Sequence, residues 1–233
     1  MRLDKYLCLL EVGTRNQVKS YIRQGLVTIN GSPAKRPEQK VNEESDIIAF
    51  RGKELCYKEF YYYMLNKPSG VVCATRDNTA GTVVELLGPD RREDIFPVGR
   101  LDKDTVGLLF LTNNGELAHR LLSPKHHVDK TYLVTVEHSL SAEDIRRMEE
   151  GVDIGEERLT MPAKVEISKE GQILLTIREG KYHQVKRMMQ AVDNEVIALK
   201  RIAFGGITLD ENLKPGQYRE LTKQEVDILH GLE

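Results

Sequence analysis

Two hydrophobic rhythms, one helical and one strand-like, divide this chain of 233 residues into elements. Leu3, Tyr6, Leu7 and Leu10 recur at helical spacing as far as Gly13. Val18, Tyr21, Ile22 and Leu26 repeat the pattern behind Thr14, a residue suited to cap a second helix, and Gly25 closes it. Val27-Thr28-Ile29 then reads as a strand running into Asn30-Gly31, a strong signal for a two-residue hairpin turn. Val41 and Asp46-Ile47-Ile48 complete a small sheet. Residues 51–60 (RGKELCYKEF) keep neither rhythm and read as a polar connector.

Beyond the connector, Tyr61–Leu65 opens a strand that stops at Asn66-Lys67-Pro68-Ser69-Gly70, and Val71-Val72-Cys73 continues as another. Two apolar runs, 95–98 and 108–111, have the length and composition of buried strands. Between them lie Arg100, Asp102, Lys103 and Asp104, closed off by Gly107. Asn113-Asn114-Gly115 turns the chain into a short helix with Leu117, Leu121 and Leu122 inward and His119 and Arg120 outward. Lys130, Tyr132, Val134 and Val136 alternate with Thr131, Leu133 and Thr135, as a half-buried strand should. Ser141 and Asp144 cap a helix reaching Gly151, and residues 161–167 and 172–177 pair as strands across Gly171. Val185, Met188, Met189 and Val192 define a helix with a buried stripe; His183, Arg187 and Gln190 face the other way, and Lys186 sits at the stripe's edge. Residues 199–209 form the last strands, and Thr222 with Glu225 makes a capping box for a terminal helix.

Composition narrows the function classes. Hydrophobic residues at 40% support a real core, and no apolar run approaches a membrane span. The stretch MRLDKYLCLLEVG carries charges within its apolar run and has no cleavage-like site, so neither a secretion signal nor an anchor is expected. Cys8, Cys56 and Cys73 are odd in number and lack metal-like spacing, which fits reduced core residues in a cytosolic protein. A net charge of −2 hides an asymmetry: residues 1–58 hold 11 Lys/Arg against 7 Asp/Glu, and the remainder 23 against 29. A basic module on an acidic body suggests an attachment that binds polyanions, while a pI near 6.3 argues against coating nucleic acid indiscriminately. Neither G-x-x-x-x-G-K-[ST] nor G-x-G-x-x-G occurs, so no nucleotide cofactor is expected. His126 and His127 are adjacent and make a poor metal pair; no metal is expected either.

On residue types alone, Asp102 is a carboxylate in a polar loop, and Arg15, Lys19 and Arg23 are three cations on one helix face; both patterns are commonly just solvated surface. However, GRLDKDTVGLLFLTNNG (residues 99–115) resembles the catalytic motif of the pseudouridine synthases that modify ribosomal RNA, in the branch carrying an S4-type domain. The resemblance implies that Asp102 is the essential carboxylate. Two short helices, a strand, an NG turn and the basic rim of Lys35, Arg36 and Lys40 resemble an S4 RNA-binding domain over roughly residues 1–50, with Thr14-Arg15 at its second helix. It would use Arg15, Lys19 and Arg23 against RNA.

Other segments carry the resemblance further. Lys-Pro-Ser-Gly at 67–70 is similar to the family's first motif and makes Lys67 a candidate for a backbone phosphate. The Tyr of KTY, here Tyr132, lines the family's active site against the target base. EGKYHQVKRM is similar to the motif whose basic residue pairs with the catalytic Asp, which implies Lys186, although many relatives have Arg there; His183 and Arg187 become candidate substrate contacts. LKRIAFGGITL is similar to the closing motif and offers Ile202 as the apolar side chain over the base. Arg100 would fill the gap left by a flipped base or hold a neighbouring phosphate.

The implied fold is α+β: an S4-type domain with connector over residues 1–58, then a catalytic domain over 59–233 with a mainly antiparallel mixed sheet flanked by helices. The implied reaction turns uridine into pseudouridine, without cofactor. Asp102 would attack C1′ or C6 or act as base at C2′, with Tyr132 against the uracil or assisting proton removal from C5. A cation beside it favours the ionised carboxylate in a dry pocket. SPKHHVDKTYLV, EGKYHQVKRM and FGGITL are most similar to the members acting on 16S ribosomal RNA. The expected substrate is therefore uridine 516 of that RNA within a partly assembled small subunit, and the enzyme a cytoplasmic monomer with no membrane partner. Large-subunit (23S) synthases of the branch are the nearest alternative. An S4 protein that had lost its chemistry would have a broken catalytic set, yet Asp102, Tyr132 and Lys186 are all present. A glycoside hydrolase would need two cooperating carboxyls, and Asp104, the near neighbour, is expected to point away from Asp102.

Overall fold

The computed structural model describes residues 1–43, 45–55 and 58–232, which form two compact units, Met1–Glu59 and Phe60–Glu233. In the first, helices α1 (Leu3–Leu9) and α2 (Arg15–Arg23) share one core with a small sheet of β1 (Val27–Ile29), β2 (Ser32–Pro33), β3 (Ile48–Phe50) and β4 (Lys53–Leu55), in the order β2-β1-β3-β4. Leu3, Tyr6, Leu7, Val18, Ile22, Val27 and Ile48 are buried together. Thr14 caps α2: its hydroxyl accepts from Gln17 N, and the Gln17 side chain accepts from Thr14 N at 2.8 Å. Asn30 and Gly31 both have positive φ (49° and 77°), as a two-residue hairpin turn requires. Arg15, Lys19 and Arg23 lie exposed along α2, away from buried Val18 and Ile22. The connector differs from expectation, because β4 lies inside it and pairs antiparallel with β3. Cys8 is half-buried rather than core; Cys56 lies outside the described residues.

The second unit is built on a sheet of β5 (Tyr62–Lys67), β6 (Phe96–Pro97), β7 (Val106–Thr112), β8 (Lys130–Val136), β9 (Lys164–Lys169), β10 (Gln172–Ile177), β11 (Val196–Phe204), β12 (Ile207–Thr208) and β13 (Tyr218–Glu220). Its main order is β13-β5-β7-β11-β8-β10-β9, with β12 on β11 and β6 on β7. Among the described strands, only β7 and β11 are parallel neighbours, so the sheet is mixed and mainly antiparallel. Among the described residues, the α-helices that flank it are α3 (Gly115–Leu122), α4 (Ala142–Glu150), α5 (Gln184–Gln190) and α6 (Lys223–His230).

Side chains alternate across a strand, so β7 feeds two cores. Leu109 and Leu111 join Leu65, Val134, Leu175, Met188 and Met189 on one side, whereas Leu108 and Phe110 join Met64, Leu117, Phe204 and Leu229 on the other. Gly107 is needed at the β7–β11 pairing: its φ is 101°, and a Cβ there would fall inside the backbone of Arg201. β6 and β11 take opposite ends of one edge of β7, and residues 99–105 leave the sheet between them.

Three local expectations change in this unit. Val71–Cys73 is not a strand; Val72 makes a single bridge to Thr82, while β13 pairs with β5. Asn66 and Lys67 continue β5 instead of ending it. Leu122 is 43% exposed, and Ala118 takes the inward place beside Leu117 and Leu121.

The end of the chain is held electrostatically. Thr222 caps α6 with Glu225, and both Glu225 oxygens accept from Arg219 at 2.8 Å, while Arg219 also donates to Asp210 at 2.7 Å. The Arg219 guanidinium, outweighing burial, holds the Glu225 carboxyl down at about 2. A depressed carboxyl contributes stability that is complete above its ordinary pKa and disappears as pH falls through the folded value. Urea melts should therefore show the wild type losing about 2 kcal/mol between pH 4.5 and 2 from this group, with a flatter profile for Glu225→Gln.

Candidate active site

Lys67, the last residue of β5, is fully buried, and its ammonium ends beneath the loop that carries Asp102. Nζ donates to the carbonyls of Thr105 (2.8 Å), Asp102 (3.0 Å), Pro68 (3.2 Å) and Lys103 (3.3 Å). Three N–H donors are thus shared among four oxygens. Burial pushes the Lys67 pKa down, offset in part by nearby Asp104 and Asp102. The loop is tied elsewhere too: Gly70 N donates to Lys103 O (2.8 Å), Thr105 N to Asp102 O (3.1 Å), and Leu101 N to Cys73 Sγ (3.2 Å). Cys73 is half-buried, not core, and desolvation raises its thiol pKa. Lys67 was expected to reach a phosphate; enclosed and saturated by carbonyls, it instead clamps the loop.

With its backbone held from below, Asp102 extends a partly exposed carboxylate toward α5. One oxygen lies 3.4 Å from His183 Nε2 and the other 3.4 Å from Lys186 Nζ. Lys186 is closer still to Asp104, at 2.8 Å from both carboxylate oxygens. Asp104 therefore does not turn away from the site but shares its cation. Burial works against the charge on Lys186, yet its hydrogen bond to Asp104 and the two negative charges outweigh it and raise its pKa. The same hydrogen bond lowers that of Asp104.

Asp102 opens into a small cavity whose wall includes Arg100, Tyr132, Ile177, Lys186 and Leu199. Tyr132, 8% exposed, comes from the inward-facing set of β8, and Arg100 is exposed at the rim. Ile202 does not line this cavity; Leu199 and Ile177 supply its apolar surface. Ile202 stands three residues from Leu199, so strand alternation places it outside the set of Leu199 and Arg201, at the point where the register of β11 against β8 shifts. A second hollow, lined by Ser69, Gly70, Lys103 and Asp104, adjoins it, and Asp102, His183 and Lys186 border both.

Arg187, expected as a substrate contact, faces its own protein: it donates to Glu156 (2.8 Å), to Tyr182 O (3.1 Å) and to Ile154 O. It fastens the start of α5 to the segment after α4. Arg201, which no sequence motif singled out, is buried and donates to Leu108 O at 2.8 Å, joining β11 to β7. Lys130 is buried too, donating to Val128 O (2.9 Å) beside the Phe204 ring, and burial, with Arg201 nearby, pushes its pKa down to about 8. For Asp104 and Lys67 the signal in the sequence was weak, since a polar loop residue and a lysine before proline are ordinary turn chemistry. For Leu199 the alternation of β11 could have found it.

Among the described residues no group of three or more His, Cys, Asp or Glu is arranged to hold a metal, and no helix is long and apolar enough to cross a membrane. Comparison with known proteins adds an independent view. Residues 61–191 match the family model described as RNA pseudouridylate synthase, and residues 1–48 match the S4 domain. The chain is 50% identical over 235 residues to an uncharacterised RNA pseudouridine synthase, YtzG, of Bacillus subtilis (strain 168), covering 99% of this chain and 98% of the relative. It is 42% identical over 228 residues to ribosomal small subunit pseudouridine synthase A of Escherichia coli (strain K12), covering 97% and 98%. A crystal structure of a pseudouridylate synthase, 41% identical, aligns with a TM-score of 0.71 over 98% of this chain and 99% of that one.

Proposed function

Because this chain belongs to the RNA pseudouridylate synthase family, we propose that it isomerises one uridine of 16S ribosomal RNA, uridine 516, to pseudouridine. The reading rests above all on one observation: Asp102, in a loop clamped by Lys67, faces Lys186 at the mouth of a cavity with Tyr132 in its wall. The near full-length similarity to small-subunit synthases supports the choice of RNA.

The reaction breaks N1–C1′, joins C5 to C1′, releases the C5 proton and leaves a proton on N1. No atom is gained or lost overall, and no redox step occurs. Asp102 can start it by attack at C1′, attack at C6 or proton removal at C2′, and each route needs an ionised carboxylate against the nucleoside. A uridine stacked in its RNA cannot reach a carboxylate at a cavity mouth, so the base must flip. Ile177, Leu199 and Tyr132 then replace water around the uracil, and the Tyr132 ring packs against it. Its hydroxyl is the group proposed to help take the C5 proton. Arg100 at the rim holds the backbone or fills the vacated stack. In the first unit, Arg15, Lys19 and Arg23 bind RNA phosphates.

Lys186 places a positive charge 3.4 Å from the Asp102 carboxylate, beside the atoms where charge develops during the reaction. Lys186→Met should slow single-turnover pseudouridine formation about 100-fold, with a smaller change in RNA affinity, while Lys186→Arg keeps most of the rate.

The test of function uses transcribed 16S RNA, free and partly assembled with ribosomal proteins. After incubation, pseudouridine is mapped by chemical labelling and primer extension. One new site at uridine 516 is expected, formed by a monomeric, cytoplasmic enzyme. A site on 23S RNA instead would move the chain to the large-subunit branch. Binding without modification of either RNA would overturn the enzymatic reading in favour of an S4-type binding protein.

A further inference from the structure

We propose that Tyr182 and His183 form a stacking platform for the unpaired base next to the target uridine. The inference rests on the function proposed above and adds a binding site for a second nucleobase. Among the described residues, no large hydrophobic side chain is more exposed than Tyr182, at 72%. Its ring is not loose, because it stacks on the His183 imidazole with centroids 3.8 Å apart and planes 18° apart. Two conjugated rings thus present an open face to solvent beside Asp102.

Arg187 holds the backbone beneath them, donating to Tyr182 O while also gripping Glu156 and Ile154 O. His183 adopts a left-handed backbone (φ 49°), rare for a residue with a side chain, and its ring reaches within 3.4 Å of Asp102. An uncommon conformation maintained by such contacts beside a reactive carboxylate points to a function for the ring's position. A platform already rigid loses little freedom when a base lands on it.

Position favours a base as the occupant. His183 borders both the Asp102 cavity and the adjoining hollow, so a strand that delivers a uridine into the cavity has its neighbouring nucleotide close to this residue. Flipping the uridine leaves that neighbour with one face unstacked. Aromatic rings take up such a face irrespective of sequence, because every base has a π-surface.

The experiment is a cycle between protein and RNA. Wild type, Tyr182→Ala and Tyr182→Phe act on a 16S stem-loop around the mapped uridine, intact or with each flanking nucleotide made abasic in turn. Tyr182→Ala should raise KM about tenfold on intact RNA with kcat changed less than about twofold, and Tyr182→Phe should restore the wild-type KM. On the RNA abasic at the stacking position, wild type and Tyr182→Ala should have the same KM. An Ala variant equal to wild type on intact RNA, or a tenfold effect that persists with both abasic RNAs, would overturn the platform while leaving the isomerase reading intact. Absence of pseudouridine with wild type on every RNA would remove the functional reading, and the platform with it.

Discussion

Asp102→Asn is expected to abolish pseudouridine formation, by at least about 10^4-fold, in a protein that folds and binds RNA like the wild type. Asn keeps the size and one oxygen of Asp but neither the negative charge nor the ability to bond covalently to C1′ or C6 or to accept a proton from C2′. The loop backbone does not depend on that side chain, since Lys67, Cys73 and Gly70 hold it through main-chain atoms. The ion pair lost with Lys186 is partly exposed, and Lys186 keeps Asp104 as its nearer partner. Such pairs contribute about 1 kcal/mol or less, so the melting temperature should move by only a few degrees. Release of tritium from RNA labelled at uridine C5 measures the chemistry, and filter binding measures affinity. More than about 1% residual rate would remove Asp102 from its proposed role.

Lys67→Met is expected to lower stability by about 3 kcal/mol and the rate of the folded enzyme by about 100-fold. Methionine fills most of the same space but donates nothing, so the carbonyls of Asp102, Lys103, Thr105 and Pro68 lose their common donor inside the protein. A buried acceptor without a partner costs about 1–3 kcal/mol, and relaxation of the loop recovers part of the total. That relaxation moves Asp102, and a displacement of about 1 Å at a reacting group costs about 100-fold in rate. A phosphate contact would behave differently: its removal would weaken RNA binding, reduce the salt dependence and leave stability unchanged. Urea melts with filter binding across a salt series separate the two. Unchanged stability with weaker, less salt-dependent binding would return Lys67 to the RNA interface.

Much of the molecule could be derived from residues near one another in the chain. Thr14, Ser141 and Thr222 cap the helices their spacing predicts, because a capping box needs only residues three apart. Asn30-Gly31 makes its turn because both residues tolerate positive φ, and β8 alternates in burial along its length because strand side chains point to opposite faces. The pairing of Lys186 with Asp102 was implied by family resemblance and is present at 3.4 Å. Tertiary structure decided which groups share a partner. Lys186 finds Asp104 across 82 residues, and Lys67 finds Thr105 across 38. The edge of β5 is taken by β13, which arrives from near the other end of the chain. Leu199 lines the cavity in place of Ile202, because the pairing of β11 with β7 and β8 sets which of its faces meets the cavity. Local spacing encodes backbone conformation and which face is buried. The partner of a long cation, or of a sheet edge, depends on which elements folding brings together, and no short stretch of sequence records that.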